Sequence, residues 1–286
     1  MIWRLFNRKI GSRPEQPRSL RLDFSESEKM RQFFREDELE KGVAVTEAFI
    51  IESVTPERSR DPVFRDDFFY LCRRLREHEH PSIPRLVDFG EENGRLYRAW
   101  ERRPLEQFLH RIALRLPEER FLVQSLLDLL DGFLHMRELG LPLTPELLHS
   151  LSLDSKGCFL GRVPLTLKSG FYQGDFYKFR FSVNSLCPDN LKAFRENSPP
   201  VSPDVVFQFS LGTMLWVVWS DRFPYCEPPA SASLGPYRPE RHPFDFGSAL
   251  TPVLNRLTEL DSGKRFPTLE DALNALRQGL EQYRQS

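Results

Sequence analysis

The sequence predicts an α+β chain in which a small strand-bearing part is followed by a larger, mostly helical one. Three observations point there. Strand-like apolar runs fall in the first hundred residues, at Leu20 to Phe24, Val43 to Ile51 and Arg95 to Glu101. Helix-patterned stretches are longer and dominate later: Asp61 to His80, Pro117 to Gly140, and the apolar run Leu211 to Trp219. Length and composition suit one two-lobed domain or two small ones: 286 residues and 33.6 kDa, 40% hydrophobic and 12% aromatic.

The bulk numbers also exclude function classes. Forty basic and forty-one acidic residues leave a net charge of -1, so no basic footprint marks a nucleic-acid binder. The four cysteines, Cys72, Cys158, Cys187 and Cys226, are widely spaced and form no C-x-x-C pair, which fits reduced, buried thiols better than a zinc site or disulfides. No apolar run reaches the roughly 18 residues that a membrane-spanning helix needs. The first ten residues have no continuous apolar core and no small-residue cleavage site, so they do not read as a secretory signal. A cytoplasmic protein is expected.

Taken in order, residues 1 to 19 form a basic arm with a turn-rich linker. Its Trp3 and Phe6, set beside Arg4 and Arg8, suit docking on a protein partner or peripheral contact with an anionic inner-membrane face. Leu20 to Phe24 is strand-like and leads into Ser25-Glu26-Ser27-Glu28-Lys29-Met30, and Val43-Ala44-Val45-Thr46 opens the next strand-like run. The helix-patterned Asp61 to His80 places Val63, Phe64, Phe68, Leu71 and Leu75 at three- and four-residue spacings. It runs into His80-Pro81-Ser82-Ile83-Pro84-Arg85-Leu86-Val87-Asp88-Phe89-Gly90. The amphipathic Pro117 to Gly140 ends in Leu134-His135-Met136-Arg137-Glu138-Leu139-Gly140. Then come Leu141 to Gly157, an aromatic stretch from Lys168 to Pro200, Ser210-Leu211-Gly212, and Arg265-Phe266-Pro267-Thr268.

That succession resembles the protein kinase-like superfamily, and most of all bacterial Ser/Thr kinases. The similarity runs from Leu20 to about Tyr283 and lies in the order of several weak motifs: the His-Pro passage, Leu-His before the catalytic loop, Ser-Leu-Gly, and the terminal Arg. It implies a two-lobed kinase-like fold, with an N-lobe over residues 20–101 and a C-lobe over 102–286. It also implies where the chemistry would sit, and there the expected side chains are replaced. Ser25, Ser27 and Met30 stand at the three glycines of the phosphate-covering loop, and Thr46 at the lysine. Leu71 stands at the ion-pairing glutamate, Trp100 at the gatekeeper, Pro145 at the catalytic aspartate, and Ser150 and Val163 at the two magnesium ligands. A proline accepts no proton and a valine holds no metal.

The resemblance therefore leads to the expectation of a pseudokinase with no catalytic residue, no metal and no cofactor, acting as a protein-interaction scaffold or as an allosteric or assembly subunit. Trp3 and Phe6 of the arm, and Phe171, Tyr172, Phe176 and Tyr177 of the aromatic segment, are the candidate partner contacts. Two alternatives stay open: a divergent nucleotide-binding enzyme using Lys41, and a membrane-peripheral assembly subunit docked by its arm. Three finer expectations come with the register. Ser198-Pro199-Pro200 takes the place of Ala-Pro-Glu, Arg265 finds a substitute carboxylate such as Glu196, and His135 is a packed structural histidine. Asp88-Phe89-Gly90 and Asp245-Phe246-Gly247 imitate the metal-binding triplet but sit elsewhere in the order.

Overall fold

The computed structural model of the chain describes residues 43–45, 49–102, 118–154, 157–160, 187–196, 201–220, 222, 224–225 and 240–285. The strand-bearing part contains β1 (Val43–Val45), β2 (Phe49–Ser53), β3 (Leu86–Glu92) and β4 (Arg95–Glu101), joined antiparallel in the order β1-β2-β4-β3. Side chains alternate across the sheet as a period of two requires. Phe49, Ile51, Tyr97 and Ala99 form a small cluster on one face. Leu96, Trp100, Leu86 and Ile50 join the main core on the other.

Between β2 and β3 the chain makes α1 (Pro56–Arg60) and α2 (Pro62–Glu77). The Asp61 carboxylate caps α2 by accepting from the amides of Val63 and Phe64 at 3.0 and 3.3 Å, and Pro62 occupies the first turn, where its missing N–H costs nothing. Helix α2 turns Phe64, Phe68, Leu71, Cys72 and Leu75 inward. The helical pattern read from Asp61 to His80 is α2, and the short helix α1 precedes it, set off by the Asp61-Pro62 start signal.

The second part is mostly helical: α3 (Glu119–Glu138), α4 (Pro145–His149), α5 (Pro188–Arg195), α6 (Pro203–Ser220), α7 (Gly247–Leu257) and α8 (Leu269–Gln285), with the hairpin β5 (Leu151–Asp154) and β6 (Gly157–Leu160). Helix α3 ends at Gly140, whose φ of 69° is the left-handed geometry in which glycine avoids a side-chain penalty. Helix α6 buries twelve residues distributed all around its circumference, which explains why its sequence shows no polar face. Arg137, at the end of α3, bridges to Asp204 of α6 at 3.1 Å and Glu270 of α8 at 2.7 Å. One apolar core runs without interruption from Val54 and α2 through α3 and α6 to Leu280 of α8.

The Ser-Leu-Gly motif has a steric cause. A Cβ on Gly212 would sit 2.7 Å from the Cβ of Leu257 and 2.9 Å from Cγ2 of Thr258, because α6 and the end of α7 touch there. Gly212→Ala gains helix propensity of about 1 kcal/mol but forces the two helices apart, for a net loss of about 1 to 2 kcal/mol in urea denaturation. An unchanged or raised midpoint would contradict this packing.

Candidate functional site

Strand pairing decides the register of the site. In the kinase frame, the lysine strand leads into the ion-pairing helix and borders the strand that enters the hinge. The strand with those neighbours is β2, which pairs with β4 from Phe49↔Glu101 to Ser53↔Tyr97 and feeds α1 and α2. Val43–Val45 lies one strand further out, paired only to β2 in the sheet. Thr46 lies outside the described residues, and on β2 the polar side chain on the same face as Trp100 is Glu52. The nine-residue apolar run read from sequence as one strand is two antiparallel strands.

The partner of Glu52 comes from the neighbouring strand. Directly opposite it in the ladder is Arg98. Arg98 donates to Glu52 Oε2 from Nε at 2.7 Å and from Nη2 at 2.6 Å, and Trp100 Nε1 donates to the same oxygen at 3.0 Å. The Arg98 guanidinium also lies over the Trp100 ring, 4.9 Å from its centroid. Arg98 is 2% exposed and Trp100 fully buried. Removing such a carboxylate and cation from water is expensive unless each satisfies the other; the paired donors on one oxygen do most of this, while the buried Arg98 Nη1 has no hydrogen-bond partner among the described residues.

Leu71 of α2 is buried in the apolar core, as a leucine at that position requires, so the helix meets the sheet through hydrocarbon. One residue on, Cys72 senses the pair. Burial pushes its thiol up to about 12, against the opposing pull of Arg98, with the Glu52 carboxylate adding to the rise. It is a protonated, inert thiol.

In the catalytic-loop stretch, Pro145 is the first residue of α4 and is buried. Ser150 follows the helix and donates its hydroxyl to the Leu147 carbonyl at 2.8 Å. Leu141, Leu143, Leu147 and Leu148 are all buried, which packs the loop down as an apolar strap. Phe207 of α6, where the family carries the aspartate that holds this loop, is fully buried and meets Phe133 edge-on at 5.3 Å. The hairpin of β5 and β6 follows α4 directly. Val163, Ser25, Ser27, Met30, Lys41, Trp3, Phe6, Phe171, Tyr172, Phe176 and Tyr177 lie outside the described residues.

Sequence reading missed one retained feature. Arg265, 1% exposed at its side chain, pairs with Asp189 at 2.7 Å and also donates to the carbonyls of Glu259 and Val205. Glu196 at the end of α5 is exposed and is not its partner. Asp189 follows Cys187 and Pro188, and Cys-Pro-Asp keeps the small-proline-acid order of Ala-Pro-Glu. Ser198-Pro199-Pro200 lies outside the described residues, while Cys187-Pro188-Asp189 supplies the carboxylate that Arg265 holds. Pro188 starts α5, and burial pushes the neighbouring Cys187 thiol up to about 11. The two Asp-Phe-Gly sequences serve locally. Asp88 accepts from Tyr97 Oη at 3.0 Å within the sheet, and Asp245 accepts from the Gly247 amide and the Thr251 hydroxyl at the start of α7.

Among the described residues, no group of three or more His, Cys, Asp or Glu could hold a metal ion, and no helix is long and apolar enough to cross a membrane. Asp189→Ala leaves the Arg265 guanidinium buried without its countercharge. The expected loss is about 3 kcal/mol or more in guanidinium denaturation, several times that of an exposed pair.

The chain matches no family profile and no curated protein sequence. Its fold does match solved structures. It is similar to Rad53 residues 1–466, solved in complex with AMP-PNP, at a TM-score of 0.55 and 17% identity over 80% of this chain and 57% of that one. It is also similar to the kinase domain of PknI from M. tuberculosis, at a TM-score of 0.50 and 15% identity over 83% of this chain and 95% of that one. The chain thus spans a little over half the length of the Rad53 chain and nearly all of the PknI domain. With the strand order and helix succession above, these similarities establish a two-lobed protein-kinase-like fold.

Proposed function

We propose that this kinase-like protein is a pseudokinase that transfers no phosphoryl group and works by presenting a fixed surface to a protein partner, as a scaffold or assembly subunit. The observation that carries the reading is the buried Glu52–Arg98–Trp100 cluster. In an active site of this fold, a lysine at the Glu52 position neutralises nucleotide phosphates, and a glutamate on the helix holds that lysine. Here the strand position carries a negative charge already consumed by Arg98, and the helix position carries Leu71. The Glu52 carboxylate, held by Arg98, supplies no cation to a phosphate, and the buried Trp100 indole fills space at the back of the site.

The catalytic-loop positions support the same reading. Pro145 has no proton-accepting side chain, and the Ser150 hydroxyl is committed to a backbone carbonyl. On the outer side of α2, Val63 and Tyr70 are exposed at 57% and 39% and stand seven residues apart, on one face of the helix. Exposed apolar side chains in that arrangement suit a protein contact. The arm and the aromatic segment remain further candidate contacts, and a cytoplasmic setting fits the free buried thiols.

The test is ligand-dependent unfolding. Any ligand that binds the folded state at a hundred times its Kd stabilises it by about 2.7 kcal/mol, a shift that thermal melting resolves. Millimolar ATP with magnesium should leave the midpoint of the full-length protein unchanged, and Lys41→Ala should behave as the wild type does. A saturable upward shift, lost in Lys41→Ala, would overturn the reading in favour of a divergent nucleotide-binding enzyme.

A further inference from the structure

Three histidines far apart in sequence meet where the strand-bearing lobe joins the helical one. His78 caps the end of α2, His80 lies in the turn that follows, and His135 projects from α3. The rings of His80 and His135 are stacked 5.2 Å apart, and His78 stands edge-on to His135 at 6.4 Å. Among the described residues, the buried Nε2 of His135 has no hydrogen-bond partner.

The turn they line is a tether. His80 Nδ1 accepts from the Ser82 amide at 3.2 Å. The Ser82 hydroxyl donates to the Asp128 carbonyl of α3 at 2.8 Å, and the Ser82 carbonyl accepts from the Leu160 amide of β6 at 2.8 Å. One residue therefore ties the α2–β3 connection both to the main helix and to the hairpin of the other lobe. The approach is so close that a Cβ on Gly132 of α3 would lie 3.0 Å from the Ser82 Cβ and 3.4 Å from His80 Nδ1.

This geometry requires an unprotonated Nδ1 on His80, because a nitrogen that carries a proton cannot accept the Ser82 amide. We propose that the turn is an acid-sensitive tether between the lobes: a proton on His80 Nδ1 removes the acceptor of Ser82 and sets a cation against the stacked His135 ring, releasing the turn from α3.

Charged groups reach the site from α3 and, through Arg277, from α8. On α3, Asp128 and Asp131 favour the charged imidazole, but Asp128 is engaged by Gln124 at 2.8 Å and Asp131 by Arg277 of α8 at 3.3 Å. Glu138 stands 3.9 Å from His135 Nδ1 and so faces that ring. Burial and then His135 outweigh the two aspartates and hold the His80 pKa below its ordinary 6.5. A group with a depressed pKa in the closed form takes up its proton more readily once the turn opens. The closed form is thus at full strength above pH 6.5 and weakens as the pH falls below it. That window is the one in which histidine charge changes physiologically.

Amide hydrogen exchange on the full-length protein tests the tether. After correction for the intrinsic pH dependence of exchange, protection of residues 80–83 should be constant from pH 8 to 7, then fall by up to about tenfold per pH unit below 6.5. His80→Asn offers Oδ1 as a non-titrating acceptor near the position of Nδ1, so its protection should stay flat over the same range. His135→Leu should retain the fall but reduce it. In the wild type, the His80 ring titration followed by NMR must have its midpoint below 6.5 and coincide with the loss of protection. Flat protection in the wild type, an equal fall in His80→Asn, or a His80 titration that does not coincide with the fall would each overturn the proposal.

Discussion

The structure depends on one buried oxygen. Oε2 of Glu52 receives both donors of the Arg98 fork and the indole N–H of Trp100. Without the carboxylate, a guanidinium that is 2% exposed would face hydrocarbon; without the guanidinium, the carboxylate would. The constraint is mutual, and it joins adjacent positions of β2 and β4 at the centre of the sheet. Buried pairs of this kind do little for net stability against a hydrophobic substitute of equal volume, but they tolerate no unilateral change. Two strands are thereby fixed in register and charge.

Around that pair the contacts are apolar. Leu71 joins Phe64, Phe68 and Leu75 in hydrocarbon contact. The loop after α3 is filled by leucines, and Phe207 packs edge-on against Phe133. Elsewhere, Arg265 holds a buried carboxylate partner, Gly212 allows the close contact of α6 with α7, and Ser82 ties the turn to α3.

The helical architecture was legible in the sequence because its signals are long. Apolar spacing along α3, the left-handed Gly140 after it, and the all-apolar Leu211 to Trp219 leave little room for another reading. Short elements were the weak point. The strands Val43–Val45 and Phe49–Ser53 read as one run from Val43 to Ile51, since both are rich in apolar residues and neither Gly nor Pro interrupts the stretch between them. The charged pair could have been suspected from Glu52, Arg98 and Trp100, polar or bulky groups alternating inward on otherwise apolar strands. Cys187-Pro188-Asp189 was overshadowed by the double proline at 199–200, although Asp189 is the carboxylate that the buried Arg265 holds. The histidine cluster left no local trace, because residues 80 and 135 meet only through the packing of the turn on α3.

The account's central claim is that Glu52 and Arg98 act as one unit in the sheet. A double-mutant cycle with Glu52→Gln, Arg98→Met and the double variant, read by urea denaturation, measures this directly. Each single change should cost about 3 kcal/mol or more, and the double variant much less than their sum, giving a coupling of about 2 kcal/mol or more. Single-variant losses that add to within about 0.5 kcal/mol would show two independent side chains and would contradict the account.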